Sequence, residues 1–394
     1  MPAALEGIRV LDLTRTLAGP FCTQLLGDNG ADVVKVEEPE LGDETRSWSP
    51  TWHTQSVFFL SFNRNKRSLT LNLKDARARE IALKLATQAD VFIESFRAGT
   101  ADKMGLGYEA LSKLNPGIVY CSISGYGRTG PFADKPGYDL IIQGYGGLMS
   151  LTGAPDGPPM RIGYSMVDLT AGLVAYGGIT TALVARARTG EGQYLESSLL
   201  EGQVAAMSYH ALGYWATGRV PQRMGDQHPS IAPYQMFRAA DGHMIVGVAN
   251  DGLWRRFCDK LGLDDLVDDP KYRTNNDRVR NRTELIEKLQ AMFLTQPKSH
   301  WLPLIEAAGV PCGPINNIDQ VLADPQVLAR DMIVEIEHPE VPNFKTYGTP
   351  MKLWGTPGSI RRPPPLLGQH TDEVLGEMGY SAADVAALRA DKVV

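Results

Sequence analysis

The sequence predicts an α/β protein: a large domain on a Rossmann-like, doubly wound parallel sheet, joined to a smaller α+β domain. Three observations predict it. Residues 8–37 read as strand, loop, helix and strand, the unit from which parallel sheets are assembled. The same alternation of short apolar β-runs and helical stretches continues to residue 124. Near Gly218 the character changes, and a hairpin followed by helices takes over.

Residues 8–13 are the first strand, followed by a loop from Thr14 to Gly19. Pro20 suits a first helical turn, so a helix is expected over 21–29. Gly30-Ala31-Asp32 leads into a second strand, 33–37. Residues 42–48 are loop-like, and 58–62 are apolar. Residues 63–68 form a basic turn whose cations are candidates for phosphate, against the alternative of plain solvated charge. The next strand is read at 69–73, a helix capped by Lys74-Asp75 at 76–88, and a buried strand at 91–94 with the loop 95–100 behind it. A helix at 108–114 precedes the strand 118–124, which ends in Gly125-Tyr126-Gly127. Pro136-Gly137-Tyr138-Asp139 opens a helix towards Met149, and 153–159 is a Gly/Pro loop. The strand 193–197 and one long helix, 198–216, follow. Beyond a loop at 224–230, residues 234–237 and 243–248 form a hairpin around Asp241-Gly242, and helices fall near 252–261, 278–293 and 299–308. A Pro/Gly turn spans 309–317, residues 334–358 are β-like, and a proline-stiffened segment, 361–371, precedes a final helix at 372–378. The expected division is a large domain over 1–224, a small domain over 225–330, and a segment, 331–394, returning to the large domain.

At 394 residues a sizeable core is affordable, and 43% hydrophobic with 21% charged residues is ordinary for a soluble protein. A net charge of -6 argues against a nucleic-acid partner. No apolar run is expected to reach the length of a membrane span, and the first residues lack the pattern of a secretory leader. The cysteines Cys22, Cys121, Cys258 and Cys312 are scattered, which disfavours disulfides and structural zinc and fits a cytoplasmic protein. The histidines form no ligand pair, so no metal is expected. Neither G-x-G-x-x-G nor a P-loop is present, so no nicotinamide or ATP cofactor is indicated.

Asp168 admits two readings. It opens a Gly/Ala-rich stretch with Leu169, Leu173 and Tyr176 at helical spacing, so it suits a first-turn acid that serves only the helix end. It equally suits a carboxylate held against apolar walls and able to attack an acyl group.

The chain resembles the class III coenzyme A transferases, the family that includes formyl-CoA transferase, carnitine CoA-transferase and the 2-methylacyl-CoA racemases. The resemblance covers nearly the whole chain. It rests on Leu5-Glu6-Gly7-Ile8-Arg9-Val10, Ala18-Gly19-Pro20, Gly30-Ala31-Asp32, Gly42-Asp43, Asn65-Lys66-Arg67-Ser68, Gly125-Tyr126-Gly127 and Pro364-Pro365-Leu366-Leu367-Gly368-Gln369-His370-Thr371. It implies an intertwined homodimer and makes Asp168 the nucleophile, passing through an aspartyl-CoA thioester. Coenzyme A is then a cosubstrate and no cofactor is tightly bound. The family's racemases carry a His where Tyr138 stands and a Glu where Asn250 stands, and a phenol and an amide are poor acid/base replacements. Racemisation, or a non-catalytic CoA-binding role, is the alternative.

By position, the resemblance assigns CoA contacts to Thr16, Leu17, Ala18, Leu71, Lys74, Phe96, Lys103 and Met104. Leu17 replaces the Gln of formyl-CoA transferase, which argues against oxalate and formyl chemistry. The loop near 225–230 answers to a glycine-rich loop of that enzyme but holds one Gly. The pattern is nearest the succinyl-CoA:dicarboxylate branch, through Asp12-Leu13-Thr14-Arg15, Asp43-Glu44-Thr45-Arg46 and Gly313-Pro314-Ile315-Asn316-Asn317. Succinyl-CoA is then the expected donor and a dicarboxylate or analogue the acceptor. Arg15 and Arg46 are candidates for its distal carboxylate, since guanidinium binds carboxylate bidentately, while Tyr138 and His228 are further substrate candidates.

Overall fold

Six parallel strands make the main sheet of this computed structural model, which describes residues 2–394. They are β1 (Arg9–Leu13), β2 (Asp32–Glu37), β3 (Lys66–Thr70), β4 (Val91–Glu94), β5 (Val119–Ser124) and β6 (Gln193–Ser198). Their order is β3-β2-β1-β4-β5-β6, the doubly wound arrangement. The winding reverses between β1 and β4. The loops leaving the carboxyl ends of those strands therefore diverge and leave a crevice, the usual ligand position in such sheets. The central strands read as mostly apolar runs because both faces are covered. Leu11, Val34, Phe92 and Tyr120 point into one core layer, and their neighbours Val10, Val33, Ile93 and Cys121 into the other.

The helices that matter for the site are α1 (Ala18–Asp28), α2 (Ala76–Gln88), α3 (Asp139–Tyr145), α4 (Met166–Thr189) and α5 (Leu199–Ala206). Helix α4 packs on α1 through Val167, Ala171, Ala175 and Ile179, all buried. Gly172 permits the approach, because a Cβ there would lie 2.6 Å from the Ala18 carbonyl oxygen. Against expectation, α4 is by length and composition apolar enough to cross a membrane; here it covers the sheet and leaves Leu173, Val174 and Val184 exposed.

The chain divides into two units. One takes in residues up to 148, 161–217 and 325–394; the other holds 149–160 and 218–324. The second unit thus begins before residue 225 and recruits a segment that the sequence suggested was a loop of the large domain. Its antiparallel sheet has the order β9-β8-β7, from β7 (Tyr234–Ala239), β8 (Gly242–Gly247) and β9 (Cys312–Pro314). Helices Asp251–Leu261, Arg282–Phe293 and Lys298–Ala307 close its core around Phe237, Trp254, Phe257 and Phe293.

Several expectations are corrected. The basic turn is the start of β3, and its cations are spent on internal acids. Arg64 meets Asp28 at 2.6 Å, Lys66 meets Asp12 at 3.2 Å, and Arg67 binds Asp32, Glu373 and Glu377. None is left for phosphate. The expected helix over 198–216 is broken at Ser208, whose φ of 34° lies outside the right-handed helical range. The Pro/Gly turn contains β9, and a last helix, Ala382–Ala390, follows the one expected to end the chain. Its capping box, Ser381 with Asp384, is readable in the sequence.

Candidate active site

A cavity of about 230 Å³ opens at the switch point of the sheet. Its walls are the β1–α1 loop with Arg15, Thr16, Leu17, Ala18 and Gly19, the loop after β4, and the ends of β5, α3 and α4. Seven residues singled out in the sequence meet there: Arg15, Thr16, Leu17, Ala18, Phe96, Tyr138 and Asp168.

The first wall is held by buried charge. Lys35 and Asp43, both fully buried side chains, pair at 2.9 Å, and Lys35 also donates to the Thr14 carbonyl at 2.8 Å. Asp12 accepts from Thr14 and, through its other oxygen, from the Thr23 hydroxyl of α1 and from Lys66. Lys66 in turn donates to the Pro20 carbonyl at 3.0 Å. Burial opposes the charge on Asp12, yet Lys66, Lys35 and the two threonine hydroxyls hold its carboxyl below the usual range. This network fixes where α1 begins. Leu17 provides no side-chain cap, so the first amides of α1 face the cavity without an intrahelical acceptor. Thr16 has φ 70°, a strained value held by Asp43, which accepts from its amide, and by Glu44, which accepts from its hydroxyl.

Asp168 lies in the first turn of α4 and lines the same cavity. The task of serving the helix end falls to another acid. Asp139 of α3 accepts from the Val167 amide at 2.9 Å and from Gln143 at 2.6 Å, and is itself buried. The Asp168 carboxylate accepts no hydrogen bond from the described residues. Burial, followed by the negative charge of Asp139, pushes its pKa up to about 7. A carboxylate with that proton affinity is a better nucleophile than an ordinary one, and half of it is still ionised near neutrality. Gly125 and Gly137 close the floor between them; a Cβ on either would come within 2.6 Å of the other's Cα.

The other residues suggested by the sequence lie elsewhere. Arg46 forms a bidentate pair with Glu37, at 2.7 Å for both contacts, and stacks 3.5 Å over the Phe59 ring. Its guanidinium is committed inside the protein and is withdrawn as a carboxylate ligand. The Leu71 side chain is 1% exposed within the core, so it offers no surface to a ligand. Lys74 and Lys103 are exposed, and Met104 packs partly against the core beneath α2. His228 belongs to the second unit, where its Nδ1 accepts from the Ser230 amide and its ring meets Tyr234. Asn250, also there, caps Asp251–Leu261 through Leu253. Sequence reasoning missed Asp139 as more than a helix opener, and missed the cations Arg97 and Lys135 that also line the cavity. The signal for Asp139 was its position beside Tyr138 in Pro136-Gly137-Tyr138-Asp139.

A family model for CoA-transferase family III matches residues 5–371. The succinyl-CoA:glutarate CoA-transferase of Mus musculus is 46% identical over 375 residues, covering 95% of this chain and 86% of its own. The acetyl-CoA:oxalate CoA-transferase of Acetobacter aceti is 42% identical, with 91% of each chain covered. A crystal structure of a CAIB/BAIF family protein from Brucella suis is 40% identical and superposes with a TM-score of 0.84, over 96% of this chain and all of that one.

Proposed function

This chain belongs to CoA-transferase family III and is an enzyme that transfers coenzyme A, and from that premise we propose that it moves CoA from succinyl-CoA to a small dicarboxylate through a thioester on Asp168. The observation that carries the reading is the unpaired carboxylate of Asp168, raised to about 7, in the wall of the same switch-point cavity that the start of α1 lines. Asp168 attacks the donor thioester carbonyl; the C–S bond breaks and the thiolate leaves, forming a mixed anhydride. The thiolate then attacks the aspartyl carbonyl and releases succinate, leaving aspartyl-CoA. The acceptor carboxylate attacks this thioester, and the thiolate released finally attacks the acceptor carbonyl and restores Asp168. The first amides of α1 are the candidates to receive the oxyanions. Arg15, with its guanidinium 6.0 Å from the Phe96 ring and no acid on it among the described residues, suits the distal carboxylate. Two named relatives of similar identity use different acceptors, glutarate and oxalate, so the acceptor assignment rests on Arg15 and Leu17 rather than on likeness.

The test is to incubate the enzyme with succinyl-CoA, quench with hydroxylamine and analyse the peptide that contains position 168. A hydroxamate on Asp168 is expected. Its absence, or an equal modification in Asp168→Ala, ends the proposal. A panel of oxalate, malonate, succinate and glutarate as acceptors then ranks chain length.

The raised proton affinity sets the pH dependence. The nucleophile is the ionised form, so kcat/KM for succinyl-CoA should rise with pH through an apparent pKa of about 7. Asp139→Asn keeps an acceptor for the Val167 amide and removes the second cause of the shift. The inflection should therefore move down, towards the ordinary carboxylate range. An inflection unmoved by Asp139→Asn contradicts this account.

A cytoplasmic, intertwined homodimer is part of the same proposal. Its support in the structure is the apolar surface that one copy leaves uncovered: Leu173, Val174 and Val184 on α4, Leu212 and Trp215 beyond α5, and Trp354, which is 92% exposed. Surfaces of this kind are usually partner surfaces. Sedimentation velocity at micromolar concentration should give twice the chain mass, and a monomer would refute it.

A further inference from the structure

We infer that Glu94 and Arg128 are positioning residues for coenzyme A, acting through the backbone of Phe96, whose amide and carbonyl they hold between them. The inference rests on reading the switch-point cavity as the acyl-CoA site. Glu94 is the last residue of β4, and its register partner on β5 is Ser122. Arg128 comes from the loop after β5. The two pair at 3.0 Å, with side chains 5% and 13% exposed. One Glu94 oxygen accepts from the Phe96 amide at 2.7 Å. The other accepts from Ser122 and from Arg128. Arg128 donates to the Phe96 carbonyl at 2.8 Å, to Ser122 at 2.6 Å and to the Ile123 carbonyl at 3.2 Å, while its amide donates to Glu196 of β6 at 3.0 Å.

Phe96 stands where the winding of the sheet reverses, and the strand ladder has ended before it. Among the described residues its two backbone groups find partners only in this ion pair. The Phe96 ring is an apolar wall of the cavity and the support for Arg15. Its place is set by the two peptide groups that flank its Cα, and Glu94 holds one while Arg128 holds the other. The same pair joins two cavity walls, the loop after β4 and the loop after β5, which the sheet itself leaves independent. A buried pair with this many fixed contacts is costly to assemble as a simple stabiliser, since desolvation offsets most of its attraction. What it supplies is geometry, and a small displacement of a binding wall weakens binding sharply.

The test measures CoA affinity by calorimetry and steady-state kinetics in Arg128→Ala and Glu94→Gln. In Arg128→Ala the dissociation constant for CoA and the KM for succinyl-CoA should rise by about tenfold. The kcat should stay within about twofold, because Asp168 remains, and the KM for the acceptor acid should rise by a smaller factor than that for succinyl-CoA, because Phe96 only supports Arg15. Free guanidinium chloride at millimolar concentration should restore CoA affinity by refilling the space, and methylammonium should not. Glu94→Gln keeps size and the acceptor for the Phe96 amide and should weaken CoA by a smaller factor; it decides the matter if Arg128→Ala does not fold. Unchanged CoA affinity in the folded variants overturns the inference, as does an equal fall in kcat without guanidinium rescue. Normal hydroxamate labelling of Asp168 alongside unchanged affinity would sink this inference alone, whereas absent labelling in the wild type would sink the functional reading beneath it.

Discussion

Asp168→Ala should lower turnover of succinyl-CoA with a dicarboxylate acceptor by at least about 10⁴-fold, while CoA binding stays within severalfold of wild type. Every displacement in the proposed sequence passes through one aspartyl carbonyl, so no step survives its removal. The nearest acid cannot substitute. Asp139 has its oxygens committed to the Val167 amide and to Gln143. Glu44, also on the cavity wall, accepts from Thr16. Stopped assays with radiolabelled acceptor reach the required sensitivity. Residual turnover above about 1% would mean that the carboxylate contributes only the order of a general acid or base, and the covalent route would fall.

The same residue should behave oppositely in stability. The folded carboxyl titrates at about 7 against an ordinary 3.8, so the native state binds more protons than the unfolded state between those values. Stability from this group is therefore fully present below pH 3.8 and is lost as pH rises through about 7. The loss is at most roughly 4 kcal/mol, from about 1.4 kcal/mol for each tenfold in proton affinity. Asp168→Asn removes the titration. It should raise the melting temperature at pH 8 relative to wild type, and the gain should shrink towards zero near pH 4. The proposed nucleophile is then held at a cost in stability, as active-site groups commonly are.

The parallel sheet was legible because strand and helix alternate with the right periods, and because the central strands are mostly apolar. Asp168 was legible as a residue, but its environment was not. A sequence shows that an acid opens a helix; it does not show that Asp139, 29 positions earlier, binds a first-turn amide of that helix. Arg46 misled for a related reason. It was a candidate for a substrate carboxylate, and the partner is Glu37 at the end of β2, brought near by the Gly42 turn. The basic turn misled because charge was taken as a mark of surface. Lys66 and Arg64 are among the largest fully buried side chains, and the acids that meet them come from β1 and α1. The split helix at Ser208 left no trace, since no Pro or Gly stands there. The Arg128–Glu94 pair spans 34 residues and could be seen only once β4 and β5 were adjacent.

Asp12→Asn should destabilise the first unit by about 3–5 kcal/mol, the usual cost of breaking a buried pair from one side. Lys66 is fully buried, and apart from Asp12 its ammonium meets only neutral oxygens, those of Pro20 and Asn63. Burial already brings it down to about 8 despite the attraction of Asp12, so the charge survives on that attraction. Lys35 keeps Asp43, which separates the two pairs. An asparagine retains most of the size but only one acceptor oxygen, so it can serve Thr14 or Thr23 and not both; the loss is of charge and of one hydrogen bond rather than of packing. Urea unfolding at pH 7 should show the shift in midpoint with little change in slope. The double replacement Asp12→Leu with Lys66→Met should recover most of it, since two apolar groups of matching size need no counterion. Yet the double variant should still bind CoA poorly. Lys66 also holds the Pro20 carbonyl and Asp12 holds Thr23, and these fix the first turn of α1 against the cavity. Stability recovered together with CoA affinity would show that the charged pair positions nothing; a loss below about 1 kcal/mol in Asp12→Asn would show that the buried lysine finds another partner or sheds its proton without penalty.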